Sequence, residues 1–194
     1  MTKIIGLTGG IGSGKTTIAK FFEAEEILVY IADLEAKKIM QENQTIELIV
    51  KSFGKSVVKN NIIDSKILSA LVFNNPEKLK ILNAIIHPLV KVDFENWIIQ
   101  HLKNVFVIKE SAILFESGSY HYCDKIITVY CSEETRIKRV MLRDQCSRTD
   151  VLDRIKNQWT DAQKIEKSDF IIENENLESA KIKFKEIFSK LNKL

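Results

Sequence analysis

Short apolar segments alternate with amphipathic segments along most of the chain. The apolar segments, which predict strands, are residues 4–7, 27–31, 105–108, 125–130 and 169–172. Patterns of helical period separate them, with apolar residues recurring every three to four positions. Strands that alternate with helices favour a parallel sheet covered by helices on both faces. The chain is therefore predicted to be an α/β protein with a five-stranded parallel sheet.

Polar residues and prolines mark where several helices begin and end. Asp64 precedes one helical pattern, and Pro76 fits the first turn of the next because the N–H that it lacks has no partner there. Ser132 and the capping-box pattern Ser147–Asp150 predict the starts of two later helices. Pro88 is expected to end or bend the helix that Pro76 begins, since proline removes a hydrogen bond and crowds the preceding turn.

The spacing of the strands predicts two additions to the sheet. The long helical stretch between the second and third strands indicates an inserted helical subdomain at about residues 60–103. Residues 143–167 are polar and charged, which predicts a mobile helical lid. Because no repeat and no Pro-rich linker divides the sequence, residues 1–194 are interpreted as one domain that carries both additions.

Composition and charge narrow the class of protein. Apolar residues make up 45% of the 194 residues and charged residues 28%, which is typical of a folded domain. The net charge of +3 is too small and too dispersed to indicate a nucleic-acid partner. The sequence has neither an apolar run of membrane-spanning length nor a signal-peptide pattern. Three cysteines without a C-x-x-C pair disfavour disulfides and zinc, so we expect a cytoplasmic protein with no membrane partner.

A complete phosphate-loop motif follows the first predicted strand. Residues 9–16 read G-G-I-G-S-G-K-T and fit G-x-x-x-x-G-K-[ST] at every fixed position. Glycines let backbone N–H groups turn toward phosphate oxygens, and the helix that starts here adds the positive end of its dipole. Lys15 is expected to reach the β- and γ-phosphates, and Thr16 to offer its hydroxyl to Mg²⁺. The alternative, an ordinary glycine turn, is disfavoured by the strand before the motif and the helix after it.

The predicted nucleotide-binding residues run through this loop into the helix. They are Gly10, Ile11, Gly12, Ser13, Gly14, Lys15, Thr16 and Thr17. The sequence lacks N-K-x-D and T-K-x-D, the guanine signatures of GTPases, and it is short for a mechanical ATPase. A small-molecule kinase that uses ATP fits best, and a nucleotide-dependent switch is the alternative from another class.

Five segments resemble the dephospho-coenzyme A kinase family. The first is I-G-L-T-G-G-I-G-S-G-K-T-T at residues 5–17, followed by H-P-L-V at residues 87–90 and I-L-F-E at residues 113–116. The others are R-V-M-L-R-D at residues 139–144 and S-D-F-I-I-E-N at residues 168–174. They occur in the family's order and span nearly the whole chain.

This resemblance implies a fold, a reaction and its partners. The fold is a P-loop NTPase-type sheet with a helical substrate-binding insertion and a helical lid. The reaction transfers the γ-phosphoryl group of ATP to the ribose 3′-hydroxyl of dephospho-coenzyme A with Mg²⁺, the last step of coenzyme A biosynthesis. A monomer or weak homo-oligomer is expected. Another nucleotide or nucleoside kinase with the same core is the alternative among enzymes.

Two positions depart from the family's pattern. The D-A-D element after the second strand is I-A-D at residues 31–33, so only Asp33 remains. The usual proline before I-L-F-E is Ala112. This replacement either changes a turn or brings Glu110 near the metal, and the sequence leaves both open.

Asp33, Lys15 and Arg143 are the candidates for the chemical step. Asp33 follows the second strand, where its carboxylate would orient or deprotonate the acceptor hydroxyl, or else cap the next helix. Arg143 is expected to neutralise charge on the phosphoryl group. Its alternative is a surface ion pair with Asp144, Asp150 or Asp153. Arg139 shares a helical face with Arg143 and is a candidate for binding ATP.

Three further residues are candidates on the strength of the resemblance. His87 is expected to contact the substrate, although completing a helix end is an equal alternative. Glu116 would orient water, metal or substrate, or cap a nearby helix. Asn174, just past the fifth strand, would approach the adenine of ATP, although turn chemistry also explains an asparagine there.

Overall fold

A five-stranded parallel sheet organises the first and last parts of the chain. In the computed structural model, which describes residues 2–73 and 75–193, the strand order is β2-β5-β1-β6-β7. The strands are β1 Lys3–Thr8, β2 Val29–Ile31, β5 Phe106–Glu110, β6 Lys125–Tyr130 and β7 Phe170–Glu173. Every neighbouring pair is parallel, so the predicted sheet is confirmed. Their carboxyl ends share one edge, with the central strand β1 ending at the glycine-rich loop.

The chain divides into two compact units. The sheet unit extends to Ile31 and resumes at His101, and the helical unit is Ala32–Gln100. The helical unit therefore begins well before the insertion predicted at residues 60–103, because the second strand leads directly into it.

The main core of the sheet unit lies between one sheet face and two helices, α1 Lys15–Ala24 and α9 Leu177–Leu191. Ile5 and Leu7 of β1 point into it, and the rings of Phe22 and Phe184 meet edge to face at 4.8 Å. On the other face, Ile126 packs with Leu114 and Phe115. Strand residues alternate between faces, so both faces of the sheet are apolar and covered.

Three helices lie between the last two strands of the sheet: α6 Glu133–Asp144, α7 Arg148–Lys156 and α8 Asp161–Glu166. Ser132 caps α6 and the predicted capping box begins α7, which confirms both starts. The helix expected between the third and fourth predicted strands is not found in that connection, where the structure has only a 3₁₀ turn at Ser119–Tyr122.

The helical unit contains four helices and a two-stranded antiparallel ribbon within its described residues. These are α2 Ala32–Ile39, α3 Asn43–Phe53, α4 Ser65–Phe73 and α5 Pro76–Ile99, with β3 Val58–Lys59 and β4 Ile62–Ile63 after a 3₁₀ turn at Lys55–Val57. The buried core comprises Ile49, Val57, Ile63, Leu68, Val72 and Ile86. Asp64 caps α4 as predicted, accepting from the N–H groups of Lys66 and Ile67.

Helix α5 contradicts the expectation for Pro88. The helix starts at Pro76 as predicted but continues through Pro88 to Ile99. An internal proline costs about 3 kcal/mol. Ile86, two residues earlier, is buried in the core of the helical unit, and packing of this kind holds the helix across the missing hydrogen bond. Within residues 2–73 and 75–193, no helix combines the length and the apolar character that a membrane span needs.

Candidate active site

The glycine-rich loop between β1 and α1 is shaped by close packing against its neighbours. Gly9 and Gly14 adopt positive φ angles of 151° and 91°. A Cβ atom on Gly9 would lie 2.0 Å from the carbonyl oxygen of Val129, and one on Gly14 would lie 2.0 Å from Nδ2 of Asn174. Both positions therefore require glycine. The loop ends at the first turn of α1, and the N-terminal end of a helix favours an anion.

Lys15 lies at the end of the loop beside an acidic partner from the neighbouring strand. Glu110 is the last residue of β5, paired in register with Leu7 of β1. Nζ of Lys15 lies 3.9 Å from Oε1 of Glu110, and the two residues are only 8% and 4% exposed. The sequence left open whether the replacement at Ala112 changes a turn or brings Glu110 near the metal. The structure has Glu110 beside Lys15, at the phosphate loop. A buried ammonium group held this way can exchange part of its pairing for phosphate oxygens.

The oxygen donors near Lys15 suit Mg²⁺ bound together with a nucleotide. Thr16 is exposed in the first turn of α1, and Glu110 offers a carboxylate beside Lys15. Among the described residues, no group of three or more His, Cys, Asp or Glu side chains could hold a metal ion. Mg²⁺ is commonly held by one or two protein oxygens plus phosphates and water, so a sparse protein contribution fits this metal.

Arg139 and Asn174 both contact the carbonyl oxygen of Ser13. Nδ2 of Asn174 donates to it at 2.8 Å and Nη1 of Arg139 at 3.5 Å, while Nη2 of Arg139 donates to the carbonyl oxygen of Asn174 at 2.9 Å. Asn174 is 3% exposed. The two predicted ATP-binding residues therefore lie together beside the loop, and the amide of Asn174 supports the loop backbone.

Arg143 lies in the last turn of α6 in a surface ion pair. Its Nε donates to Oδ1 of Asp144 at 2.7 Å, and Arg154 of α7 donates to Oδ2 of the same carboxylate at 2.6 Å. Hydrogen bonds from Arg143 and then Arg154 lower the pKa of Asp144 to about 2. Of the alternatives for Arg143, the pair with Asp144 is the one present in this structure.

Glu116 forms a largely buried ion pair with a lysine of α8. Its Oε1 lies 3.0 Å from Nζ of Lys164 and accepts from the backbone N–H of Trp159 at 2.7 Å. Lys164 is fully buried, and this burial lowers the pKa of its ammonium group, opposed by Glu116. Glu116 thus binds the N–H of the residue before the N-cap of α8, but it does not cap that helix, because Thr160 and Gln163 form its capping box.

Asp33 and His87 belong to the helical unit. The N-cap alternative for Asp33 is wrong, because α2 begins one residue earlier at Ala32 and Asp33 is exposed in its first turn. The helix-end alternative for His87 is also wrong, because α5 continues past it to Ile99. His87 is half-buried, and burial lowers its pKa, which favours the neutral imidazole.

Two residues that support the loop were missed by the sequence analysis. Arg136 and Gln158 bond the two main-chain polar groups of Ile11, with Arg136 reaching the carbonyl oxygen and Gln158 the N–H. Ile11 was predicted to bind nucleotide, but both of these groups already have protein partners. The sequence carries no local signal for either contact, because Arg136 and Gln158 follow Ile11 by 125 and 147 residues.

Comparison with known proteins connects this site to one family. The sequence matches the family model for dephospho-CoA kinase over residues 3–179. A dephospho-CoA kinase from Fusobacterium nucleatum is 41% identical over 177 residues, covering 90% of this chain and 91% of the relative. Another from Leptospira interrogans serovar Lai is 38% identical over 193 residues, covering 98% and 93%.

Solved structures agree with the sequence comparison. The protein TT1252 from Thermus thermophilus is similar with a TM-score of 0.84 at 32% identity, over 98% of both chains. A dephospho-CoA kinase from Campylobacter jejuni gives 0.72 at 30% identity, over 100% of this chain and 98% of its own. A shikimate kinase from Acinetobacter baumannii, 14% identical with a TM-score of 0.55, shares the fold. The chain therefore belongs to the dephospho-CoA kinase family and catalyses the ATP-dependent phosphorylation of dephospho-CoA in coenzyme A biosynthesis.

Proposed function

We propose that the phosphates of ATP bind at the glycine-rich loop and that Lys15 carries the charge of the γ-phosphoryl group during its transfer to the ribose 3′-hydroxyl of dephospho-CoA. The buried pair of Lys15 and Glu110 at the end of the loop carries this proposal. Phosphoryl transfer depends mainly on positioning and on charge stabilisation, and a desolvated ammonium group stabilises charge more strongly than one in water.

The nucleotide contacts are proposed to start at Gly10 and run from Gly12 to Thr17. Ile11 is given a supporting position, because its N–H and carbonyl oxygen bond to Gln158 and Arg136. Arg139 and Asn174 are proposed to bind on the ATP side, next to Ser13. Arg143 would exchange Asp144 for a phosphate oxygen, a substitution available to an exposed guanidinium group.

Mg²⁺ is proposed to bind through the hydroxyl of Thr16 and, directly or through water, the carboxylate of Glu110. Its chemistry, when it is bound, is to neutralise charge on the β- and γ-phosphate oxygens. Glu110 has a second consequence for the apoprotein, since it holds Lys15 near the position where the phosphates enter.

Asp33, His87 and Glu116 are proposed on the acceptor side. Asp33 would orient or deprotonate the 3′-hydroxyl, and its exposure in the first turn of α2 leaves it accessible to a ligand. His87 would donate or accept as a neutral imidazole. Glu116 would act indirectly, by fixing the segment after β5 through Lys164. A cytoplasmic location, a monomer or weak homo-oligomer, and the absence of a nucleic-acid partner remain predictions.

A transfer assay tests the function and the role of Lys15 together. Purified protein is mixed with Mg-ATP and a panel of acceptors containing dephospho-CoA, adenosine and AMP, and ADP and the phosphorylated product are measured. We expect transfer to dephospho-CoA, its loss in excess chelator, and a fall in kcat/KM of about 10²–10³-fold in Lys15→Ala. Preference for adenosine or AMP would favour another nucleoside or nucleotide kinase, and ATP binding without acceptor-dependent ADP release would favour a switch.

Asp33→Asn tests the acceptor-side assignment separately. Asparagine keeps the shape and loses the basic oxygen, and general-base catalysis typically contributes 10²–10⁴-fold, with the lower end, about 10²-fold, expected for a loose transition state. Turnover should fall while the affinity for ATP and the melting temperature hold. Glu35→Gln, a matched change in the same turn of α2, is the control. A loss below about threefold with unchanged stability would remove Asp33 from the chemical step.

A further inference from the structure

Ile11 lies in the middle of the glycine-rich loop, and its N–H, its carbonyl oxygen and its side chain all contact residues from later in the chain. Its N–H donates to Oε1 of Gln158 at 2.8 Å, and its carbonyl oxygen accepts from Nε of Arg136 at 3.0 Å. Its side chain packs against a buried cluster that includes Val140 and Val151. Glycine-rich loops have large conformational freedom, and ordering such a loop when phosphate binds costs free energy. The contacts of Ile11 lower this cost because they restrict the loop before phosphate binds.

The guanidinium group of Arg136 is itself fixed in place. Arg136 is 5% exposed, and its Nη1 pairs with Oδ2 of Asp161, the first residue of α8, at 2.8 Å. Gly10 lies directly against this group, since a Cβ there would be 2.5 Å from Cζ of Arg136. The loop backbone therefore rests on a buried, paired guanidinium group.

Residues 158–164, the bracing segment, also hold the chain just after β5. The N–H of Trp159 donates to Glu116, and Nζ of Lys164 donates to the carbonyl oxygen of Ala112 at 2.8 Å. Ala112 lies two residues beyond Glu110, the partner of Lys15. The bracing segment thus contacts both chain segments from which the Lys15–Glu110 pair emerges.

We propose that Gln158, Arg136 and Asp161 are positioning residues for phosphoryl transfer. They fix the peptide groups on both sides of Ile11, so that the N–H groups farther along the loop are already oriented when the phosphates bind. None of the three contacts a substrate in this assignment. The proposal rests on the proposed function, since it requires ATP to bind at this loop.

Gln158→Met is the test variant, because it keeps the length of the side chain and removes only the acceptor of the Ile11 N–H. A hydrogen bond of this kind contributes enough for an effect of about 3- to 10-fold. The KM for ATP and the dissociation constant for ADP should rise by that factor, while the KM for dephospho-CoA stays within about twofold. A merely structural role would lower the melting temperature without separating the two substrates.

Gln163→Met is the matched control. Oε1 of Gln163 also accepts a backbone N–H in the same segment, but from Thr160 at 2.9 Å, within the capping box of α8, and not from the loop. It should leave both KM values unchanged. Arg136→Lys is a second variant that keeps the charge opposite Asp161 but not the fork that reaches Ile11, and it should also raise the KM for ATP selectively.

Lys15→Ala, measured beside these variants, distinguishes a failure of the proposed function from a failure of the positioning role. If Lys15→Ala leaves transfer unchanged, the proposed function is wrong. If Lys15→Ala abolishes transfer while Gln158→Met and Arg136→Lys behave like Gln163→Met, the function stands and the positioning role is overturned. A rise in both substrates' KM values in Gln158→Met would also overturn it.

Discussion

The two halves of the predicted lid, residues 143–157 and 158–167, differ in where their charges lie. In the first half the pairs are at the surface, as in Arg143 with Asp144 and Arg148 with Glu134. In the second half, Lys164 is fully buried against Glu116, and Asp161 pairs with the buried Arg136. Exposed pairs contribute little to stability, whereas buried charges must keep their partners. Movement of a lid is therefore expected in residues 143–157, with residues 158–167 as a fixed base.

Both halves of the predicted lid also have apolar contacts. The first half is attached through Val151 and its half-buried neighbours Leu152 and Ile155, which pack on α6. The second half adds Trp159, whose ring stacks on Phe115 at 5.5 Å. Charged residues at the surface can change partners at low cost, so Arg143 and Arg148 are expected to move to a phosphate group more readily than the buried Arg136.

The largest expected difference between the halves is in stability. Lys164→Met leaves Glu116 partly buried without its ammonium partner, and breaking such a pair typically costs about 3–5 kcal/mol. Arg148→Met, a matched loss of a cation in the first half, should leave the free energy of unfolding nearly unchanged, because this pair is exposed to solvent. Urea denaturation of both variants measures the difference. Equal losses in the two variants would remove the distinction between the halves.

Sequence reasoning found the elements of this region but not its base. Ser132 and Ser147–Asp150 were predicted as helix starts because caps are local patterns, and both are confirmed. Residues 143–167 were grouped as one lid because the segment is rich in polar and charged residues. Lys164 is indistinguishable in sequence from a surface lysine, and its burial depends on Ala112 and Glu116, 52 and 48 positions earlier.

In the sheet and the candidate site too, local patterns were predicted from the sequence, whereas contacts between distant residues were not. Strand β6 was predicted with its observed bounds, because a buried parallel strand is a continuous apolar run. The phosphate loop was predicted from spacing alone, since its glycines and Lys15 are adjacent in sequence. Glu110 and Arg136 needed the fold, because strand pairing and helix packing bring them to the loop across about a hundred residues. Pro88 failed as a breaker because packing outweighs a local preference.

The next effect is on catalysis and concerns Arg143. Arg143→Met should lower kcat/KM for ATP about tenfold, the loss of one charge-assisted contact to phosphate, with the melting temperature nearly unchanged. Lys156→Met is the control, since Lys156 also lies in the first half and pairs only at the surface with Asp153 in this structure. Steady-state kinetics at low and moderate ionic strength would check it. Activity equal to that of the control would leave Arg143 as a surface ion-pair residue.

The smallest effect is a pH dependence carried by Asp144. Hydrogen bonds from Arg143 and Arg154 lower its pKa from 3.8 to about 2, so the unfolded chain binds this proton more readily than the folded protein. Stability from this carboxylate is therefore fully present above about pH 4 and is lost as the pH falls toward 2. Solvent screening at this partly exposed site keeps the contribution below about 1 kcal/mol. Urea midpoints of the wild type and Asp144→Asn, which keeps the size and loses the charge, should differ most above pH 4 and converge near pH 2. If the difference between the two urea midpoints does not change with pH, the charge of Asp144 does not stabilise residues 143–157. This first half would then be attached by Val151 and its apolar neighbours alone.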